Sequence, residues 1–339
     1  MSNEVKILPI EVPSGGEAVA VVPGVFWVRM PLPFALDHIN LWLLDDGDGW
    51  TMVDTGVVGG DTKLHWQRIL KARMGGAPLK RLVCTHNHPD HMGLAGWVCE
   101  TWGAELWTTQ GEWETGRRLS TTAGDPDAYR AHYLRAGCVE DDFAEAISHV
   151  GGANRHYAPV PDLFRRIVDG ETIRMAGHDW IVRIAFGHSV EHACLFSPSL
   201  NLMIGGDQFL PKITPALVVS AGDATGSPLR QFLDSNKRFL DLPEEVRVLP
   251  SHNLPFSGLH ARIAQYENHH AKRLDATLTA CARPASCIEV ARAIFSRPIE
   301  GRSMFFAVGE TLSHLRYLQD DRLIGAYTDP RGVTMFSRA

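Results

Sequence analysis

The 339-residue chain is short of several features that would assign a class at once. No stretch approaches the roughly 18 apolar residues of a membrane span. The N-terminus, MSNEVKILPIEVPSGGEA, lacks a basic start followed by an apolar run, so no secretory signal is read there. Cysteine is scarce: six residues, at 84, 99, 138, 194, 281 and 287, with no C-x-x-C pair. With no export signal, the expectation is reduced, mostly buried thiols in a cytoplasm. Positive charge is not in excess. The formal net charge is −6, and no basic cluster with interleaved aromatics is present, which disfavours nucleic acid as a partner. Internal repeats and low-complexity tracts are also missing. What is present is ordinary globular composition, 45% hydrophobic and 21% charged. The length suits one large core, or a main domain with a smaller one attached.

The first third reads as sheet. GVFWVRM (24–30), HINLWLL (38–44) and WTMVDTG (50–56) are short, apolar and rich in branched or aromatic residues, and DDGDG (45–49) is a hairpin turn between the last two. Residues 61–74 follow a helical pattern, RLVCTH (81–86) reads as a buried strand, 93–103 as a helix ended by Gly103, and 104–109 as a strand. From 111 to 160 charged and small residues dominate. This predicts a helical insertion, with helices near 126–136 and 140–149, able to act as a lid or binding wall. Sheet returns at 171–177, 179–188, 193–198 and 200–207, then a helix near 228–240 and the strand VRVLPSH (246–252). The expected division is a catalytic domain over 1–258 and a small C-terminal domain over 259–339. In the latter, helices at 259–281, 286–296 and 304–319 and a terminal hairpin suggest a winged-helix-like module. Residues 261–339 hold 11 Lys/Arg and 8 Asp/Glu, so this part is +3 and the remainder −9.

The densest chemistry lies in CTHNHPDHMG (84–93), where His86, His88, Asp90 and His91 crowd together at the end of a buried strand. Sheets of α/β proteins build sites at such ends. Neutral imidazole is a common zinc ligand and carboxylate a suitable partner. His86 and His88, two apart, point to one side of an extended segment, while Asp90 and His91 lie past the bend. One segment could therefore serve two metals. Three further strand ends supply the same residue types: His188 after AFG, Asp207 after LMIGG, and His252 after RVLPS. Singly each could be a turn residue; together with H-x-H-x-D-H they form a ligand set.

These motifs resemble those of the metallo-β-lactamase fold superfamily of hydrolases, in order and over residues 20–258: VDTG (53–56), THNHPDH, GHS (187–189), GGD (205–207) and PSH (250–252). The resemblance implies an αββα sandwich. It implies one metal on His86, His88 and His188, another on Asp90, His91 and His252, and Asp207 bridging both. Asp54 would brace the site from behind, with His192 in a similar supporting role. The fifth motif usually reads P-G-H-G and here is PSHN, so the groove near His252 departs from the family pattern. The tail is similar to that of a branch including the human β-lactamase-like protein 2.

The implied cofactors are two Zn2+ ions per chain, with iron or manganese as alternatives. The implied activity is hydrolysis of an acyl bond by a hydroxide shared between the two metals, with Asp90 and Asp207 as catalytic carboxylates. The bridging Asp207 disfavours a true β-lactamase; a thioester or lactone of a small molecule is the expected substrate, as in hydroxyacylglutathione hydrolases. Lys212, Tyr129, Tyr133 and Tyr157 are candidate substrate contacts. A nuclease with the same metal pair is the competing class, and an iron-dependent sulfur dioxygenase a third. A homodimer through the tail fits the same sequence.

Overall fold

The computed structural model describes residues 4–33, 36–150, 153–223, 226–301 and 303–339. The chain divides into two compact units that are not consecutive in sequence. The first is Met1–Thr122, Asn154–Pro215 and Arg238–Arg262; the second is Ala123–Ala153, Ala216–Lys237 and Ile263–Ala339.

The first unit is built on two seven-stranded sheets. One runs β2 (Ala18–Val22), β3 (Val25–Pro31), β4 (His38–Asp45), β5 (Trp50–Val53), β6 (Leu79–Val83), β7 (Glu105–Thr108), β8 (Arg165–Arg166). The other runs β1 (Lys6–Ile7), β14 (Phe256–Ser257), β13 (Arg247–Pro250), β12 (Leu202–Gly206), β11 (His192–Ser197), β10 (His178–Ala185), β9 (Thr172–Met175). In strand β4 the side chains from Ile39 to Leu44 are all buried, because both faces of its sheet are covered. Ile39, Leu41 and Leu43 pack with Trp66, Ile69 and Leu70 of helix α1 (Thr62–Arg73) and with Ala95 and Val98 of α3 (Ala95–Trp102). Trp42 and Leu44, on the opposite face, join Trp180, Val182 and Ile184 of β10 between the sheets. The period-two alternation of β10 thus aims its large residues at the sheet–sheet core. This is the αββα sandwich that the motif order implies.

The strands leading to the ligand-type residues end together. β5, β6 and β7 are parallel and in register at Val53, Val83 and Trp107. β12 and β13 form a parallel pair with Gly206 opposite Pro250. Their C-terminal ends deliver Asp54, the 85–91 segment, α4 (Gln110–Thr121), Asp207 and His252 to one edge of the sandwich.

The second unit has its own core. Helices α5 (Pro126–Arg135) and α6 (Glu140–Val150) contribute Tyr133 and Phe143, and the turn between them Ala136 and Cys138; α9 (Cys287–Ile294) and α10 (Ser303–Asp320) contribute Ile288, Val290, Met304 and Val308. Ser286 and Glu289 form a capping box at the start of α9. The longer α8 (Leu259–Ala280) supplies Leu274 and Leu278 to this core. A three-stranded sheet orders β15 (Ala285–Ser286), β17 (Thr334–Arg338), β16 (Ile324–Thr328). Leu229, at the start of α7 (Pro228–Lys237), donates its N–H to Ser313 Oγ at 3.1 Å.

The stretch 111–160, read from the sequence as one insertion, is therefore divided. α4 belongs to the first unit, whereas α5 and α6 pack with residues 263–339 because their apolar faces share that core. Residues 151 and 152 of this stretch lie outside the described residues. The expected cut at 258/259 falls four residues before the observed change of unit at 262/263, and two earlier segments cross to the second unit. No described helix is long and apolar enough to cross a membrane. All six cysteines are free, and all but Cys99 are buried.

Candidate metal centre

VDTG does not continue its strand. Asp54 adopts a left-handed backbone, φ 61°, which turns its carboxylate back under the neighbouring strand end. There it accepts from Thr85 N–H and from Thr85 Oγ1, both at 2.7 Å, and from His91 Nδ1 at 2.8 Å. Trp66 of α1 donates to Thr55 O at 2.7 Å and pins the same turn. Beyond Thr85 the chain bends through His86, Asn87 and His88, then enters the short helix α2 (Pro89–Met92), with Pro89 at its first position. The helix expected over 93–103 is α3, Ala95–Trp102, closed by Gly103; α2 is a separate turn of helix before it, so Asp90 and His91 are helical residues. Gly93 is required here, since a Cβ would meet Pro89 O at 2.0 Å.

Two donor sets result. His86 Nε2 lies 3.0 Å from His88 Nδ1 and 3.3 Å from His188 Nε2, and His188 Nε2 lies 3.4 Å from Asp207 Oδ2. Across the site, His252 Nε2 is 3.4 Å from both Asp90 Oδ2 and Asp207 Oδ1, and His91 Nε2 is 3.4 Å from Asp207 Oδ1. His86, His88, His188 and Asp207 group as one possible cation site, and Asp90, His91 and His252 as a second. Asp207 turns one oxygen to each. Tetrahedral zinc with ligands at about 2.0–2.1 Å separates its donor atoms by about 3.3 Å; neighbouring donors stand 3.0–3.4 Å apart in the first set, and Asp90 Oδ2 stands 3.4 and 3.8 Å from His252 and His91 in the second. His91 Nε2 and Asp207 Oδ1 are buried without a hydrogen-bond partner. A buried acceptor left so is costly unless a cation or proton fills the gap. The donor chemistry and these two orphaned atoms fit a metal pair.

For two of the rings, His91 and His252, outer partners fix which nitrogen is offered. Asp54 holds His91 Nδ1, and His38 O accepts from His252 Nδ1 at 2.9 Å, so both rings present Nε2 inward. Asn40, on the inter-sheet face of β4, donates to Pro250 O and Asn253 O, each at 2.9 Å, and ties down the PSHN turn. His192 lies behind Asp207: its Nε2 accepts from Asp207 N–H at 3.1 Å. The ring lies so close to Gly206, φ 55°, that a Cβ there would meet it at 2.4 Å. Titration behaviour divides the rings. Burial pushes His86 well below its ordinary value, and His88 down to about 3, with neighbouring imidazoles adding to the effect. Burial acts on His91 and His252 as well, but carboxylates outweigh it. Asp54, Asp207 and Asp90 hold His91 well above its usual range, and Asp207 and Asp90 raise His252 to about 10. The same pairs, against burial, hold Asp90 and Asp207 low.

The four candidate substrate contacts are not brought together here. Tyr133 is buried against Phe143 in the core of the second unit, and Tyr129 packs on that same core. Tyr157 lies beside the site but as a brace, its hydroxyl donating to Asn87 O at 2.9 Å. Lys212 is exposed on the stretch between β12 and α7. Three residues that the sequence reading passed over do belong to the site: Thr85, His38 and Glu112. Thr85 sits inside the THNHPDH motif and was legible there. His38 and Glu112 carry no local signal.

The profile of the metallo-beta-lactamase superfamily matches residues 35–252, and that of the metallo-beta-lactamase-like C-terminal domain matches residues 274–339. A probable metallo-hydrolase, YqjP, of Bacillus subtilis (strain 168) is 24% identical over 314 residues, covering 90% of this chain and 95% of its own. The crystal structure of a beta-lactamase domain protein from Burkholderia ambifaria is 35% identical, with a TM-score of 0.92 and coverage of 99% of this chain and 98% of that one. The metallo-beta-lactamase family protein TTHA1429 from Thermus thermophilus is 26% identical, with a TM-score of 0.79 over 94% and 100% of the two chains.

Proposed function

Because the chain belongs to the metallo-β-lactamase superfamily, and so to the metal-dependent hydrolases, we propose that it holds two zinc ions and hydrolyses an acyl bond, a thioester or lactone of a small molecule. The observation that supports this most directly is Asp207, whose two oxygens face separate donor sets at matching distances. His86, His88 and His188 would hold one ion, Asp90, His91 and His252 the other. A bound pair of this kind supplies Lewis acidity and acidifies a shared water.

The rest is done by the protein. Asp90 is the most open carboxylate of the two sets, its side chain 17% exposed against 10% for Asp207. It can therefore take a proton from an incoming water and return it to a leaving thiolate or alkoxide. His252 Nε2, at 3.4 Å, keeps that carboxylate oriented. Asp54 and His38 O hold the imidazoles so that no ring must reorganise when the site works. No serine or cysteine nucleophile is needed, and Cys84 and Cys194 are buried with their thiols pushed up by burial. The C-terminal helices and hairpin we read as a winged-helix-like module.

The test is a panel of thioesters, lactones, phosphodiesters and β-lactams with zinc-loaded protein, the chelated protein, and a His86→Ala variant. Thioester or lactone turnover that disappears on chelation and in the variant is expected. Preferred cleavage of phosphodiesters would transfer the reading to a nuclease, and full activity after chelation would end the metal reading. Elemental analysis of protein expressed without added metal separates zinc from iron.

A further inference from the structure

We infer that Glu112 is a positioning residue that clips the loop bearing His86 and His88 to the loop bearing His188, and thereby sets the metal affinity of that donor set. The inference rests on the reading that these histidines hold a metal.

Glu112 is fully buried in the first turn of α4. One carboxylate oxygen, Oε2, accepts from Asn87 N–H at 2.8 Å and from the Asn87 side-chain amide. The other, Oε1, accepts from Ser189 Oγ at 2.6 Å and from Glu191 N–H at 2.7 Å. Asn87 stands between His86 and His88, and Ser189 directly follows His188. The first loop leaves β6 of one sheet, and the second leaves β10 of the other. A single carboxylate therefore joins the ends of the two sheets at the point where three of the four donors of this set converge. Two more bonds fasten the same helix start to the same loop: Thr109 Oγ1 donates to Glu191 O at 2.9 Å, and Gly111 N–H to Glu191 Oε2 at 2.7 Å. Tyr157 holds Asn87 from its carbonyl side.

Why a carboxylate is needed follows from the donor count. An ionised carboxylate is acceptor only, and here four donors converge on it. Glutamine has nearly the same volume but one acceptor oxygen, and its NH2 group would face donors on one loop or the other. Glu112→Gln therefore releases one loop without emptying the core. Asp54 braces both Thr85, beside His86, and His91 of the other set, whereas the donors to Glu112 stand only on the loops of His86, His88 and His188, so loss of Glu112 should be felt mainly on that side of the site.

The experiment strips the full-length protein of metal and titrates zinc against a competing chelator, with anomalous scattering from zinc-loaded crystals assigning each site. In Glu112→Gln, zinc on His86, His88 and His188 is expected to bind about 10–100-fold more weakly, while zinc on Asp90, His91 and His252 shifts by less than about threefold. The melting temperature of the metal-free variant, from circular dichroism, should stay near that of the native chain. Equal weakening of both sites with a lower metal-free melting temperature would make Glu112 an ordinary buried residue and overturn the inference. Should the variant fail to fold, Ser189→Ala removes one donor only; a smaller shift on the same site is expected, and unshifted constants overturn the proposal. A native protein that binds no zinc, iron or manganese overturns the metal reading and this inference with it. Native binding with unshifted constants in the variants overturns the inference alone.

Discussion

Loading the metal-free protein with zinc at pH 7 should release about two protons from imidazoles. The count follows from the two kinds of histidine in the site. His252 is raised to about 10 by Asp207 and Asp90, so at pH 7 only about one molecule in a thousand has it neutral. His91 is held well above its ordinary value by Asp54, Asp207 and Asp90, against the effect of burial. Each must lose a proton to offer Nε2 to a cation. His86 and His88, depressed by burial, are already neutral and contribute none. Ionisation of a shared water would add about one more. Calorimetric titrations in buffers of different ionisation enthalpy measure the number directly, and Asp54→Asn should lower it by weakening the hold on His91. Fewer than about one proton per two zinc ions would refute the reasoning, because the carboxylates would then not be charging these rings. The same shifts give the metal-free protein a stability maximum near pH 6–7. The raised groups stabilise fully below about 6.5, and that contribution is lost as pH rises through the folded value of about 10 for His252. The depressed groups act oppositely: their contribution is lost as pH falls from about 6.5 towards the folded value of about 3 for His88.

Other substitutions probe other parts of the site and the core. Asp207→Ala should remove the shared donor, cut turnover at least about 100-fold and leave fewer than two zinc ions bound, read by elemental analysis. Gly206→Ala places a methyl 2.4 Å from the His192 ring at a left-handed backbone position, so it should displace Asp207 and lower zinc content even though it touches no ligand atom. Trp180→Ala, in the core between the sheets, should cost about 3–5 kcal/mol in urea unfolding of the metal-loaded protein. Tyr157→Phe leaves Asn87 O without its donor and should cost about 1–3 kcal/mol in the same assay.

The ligand-type residues were legible because each is announced locally. His86, His88, His188, Asp207 and His252 all follow short, branched-rich apolar runs that read as buried strands, and a strand end is where backbone stops pairing and side chains turn to a common edge. Helix α1 and strands β4 and β10 were readable for a similar reason, since their periods are short-range properties of the chain. Element ends were less so: α2 begins at Pro89, inside the motif, because His88 and Pro89 start a helix that the polar composition conceals.

By itself, then, the sequence determined the candidate ligand residues, their order along the chain and the sandwich that carries them. The tertiary structure alone decided which nitrogen His91 and His252 present, since that depends on Asp54 and His38 O reaching the far side of those two rings. It alone joined α5 and α6 to the core of the second unit, and placed Tyr129 and Tyr133 there. It alone revealed Glu112, whose partners stand 25, 77 and 79 residues away. The physical reason is range: a strand or a metal motif is written in neighbouring residues, whereas a buried carboxylate becomes a clip only when distant loops bring their donors to it.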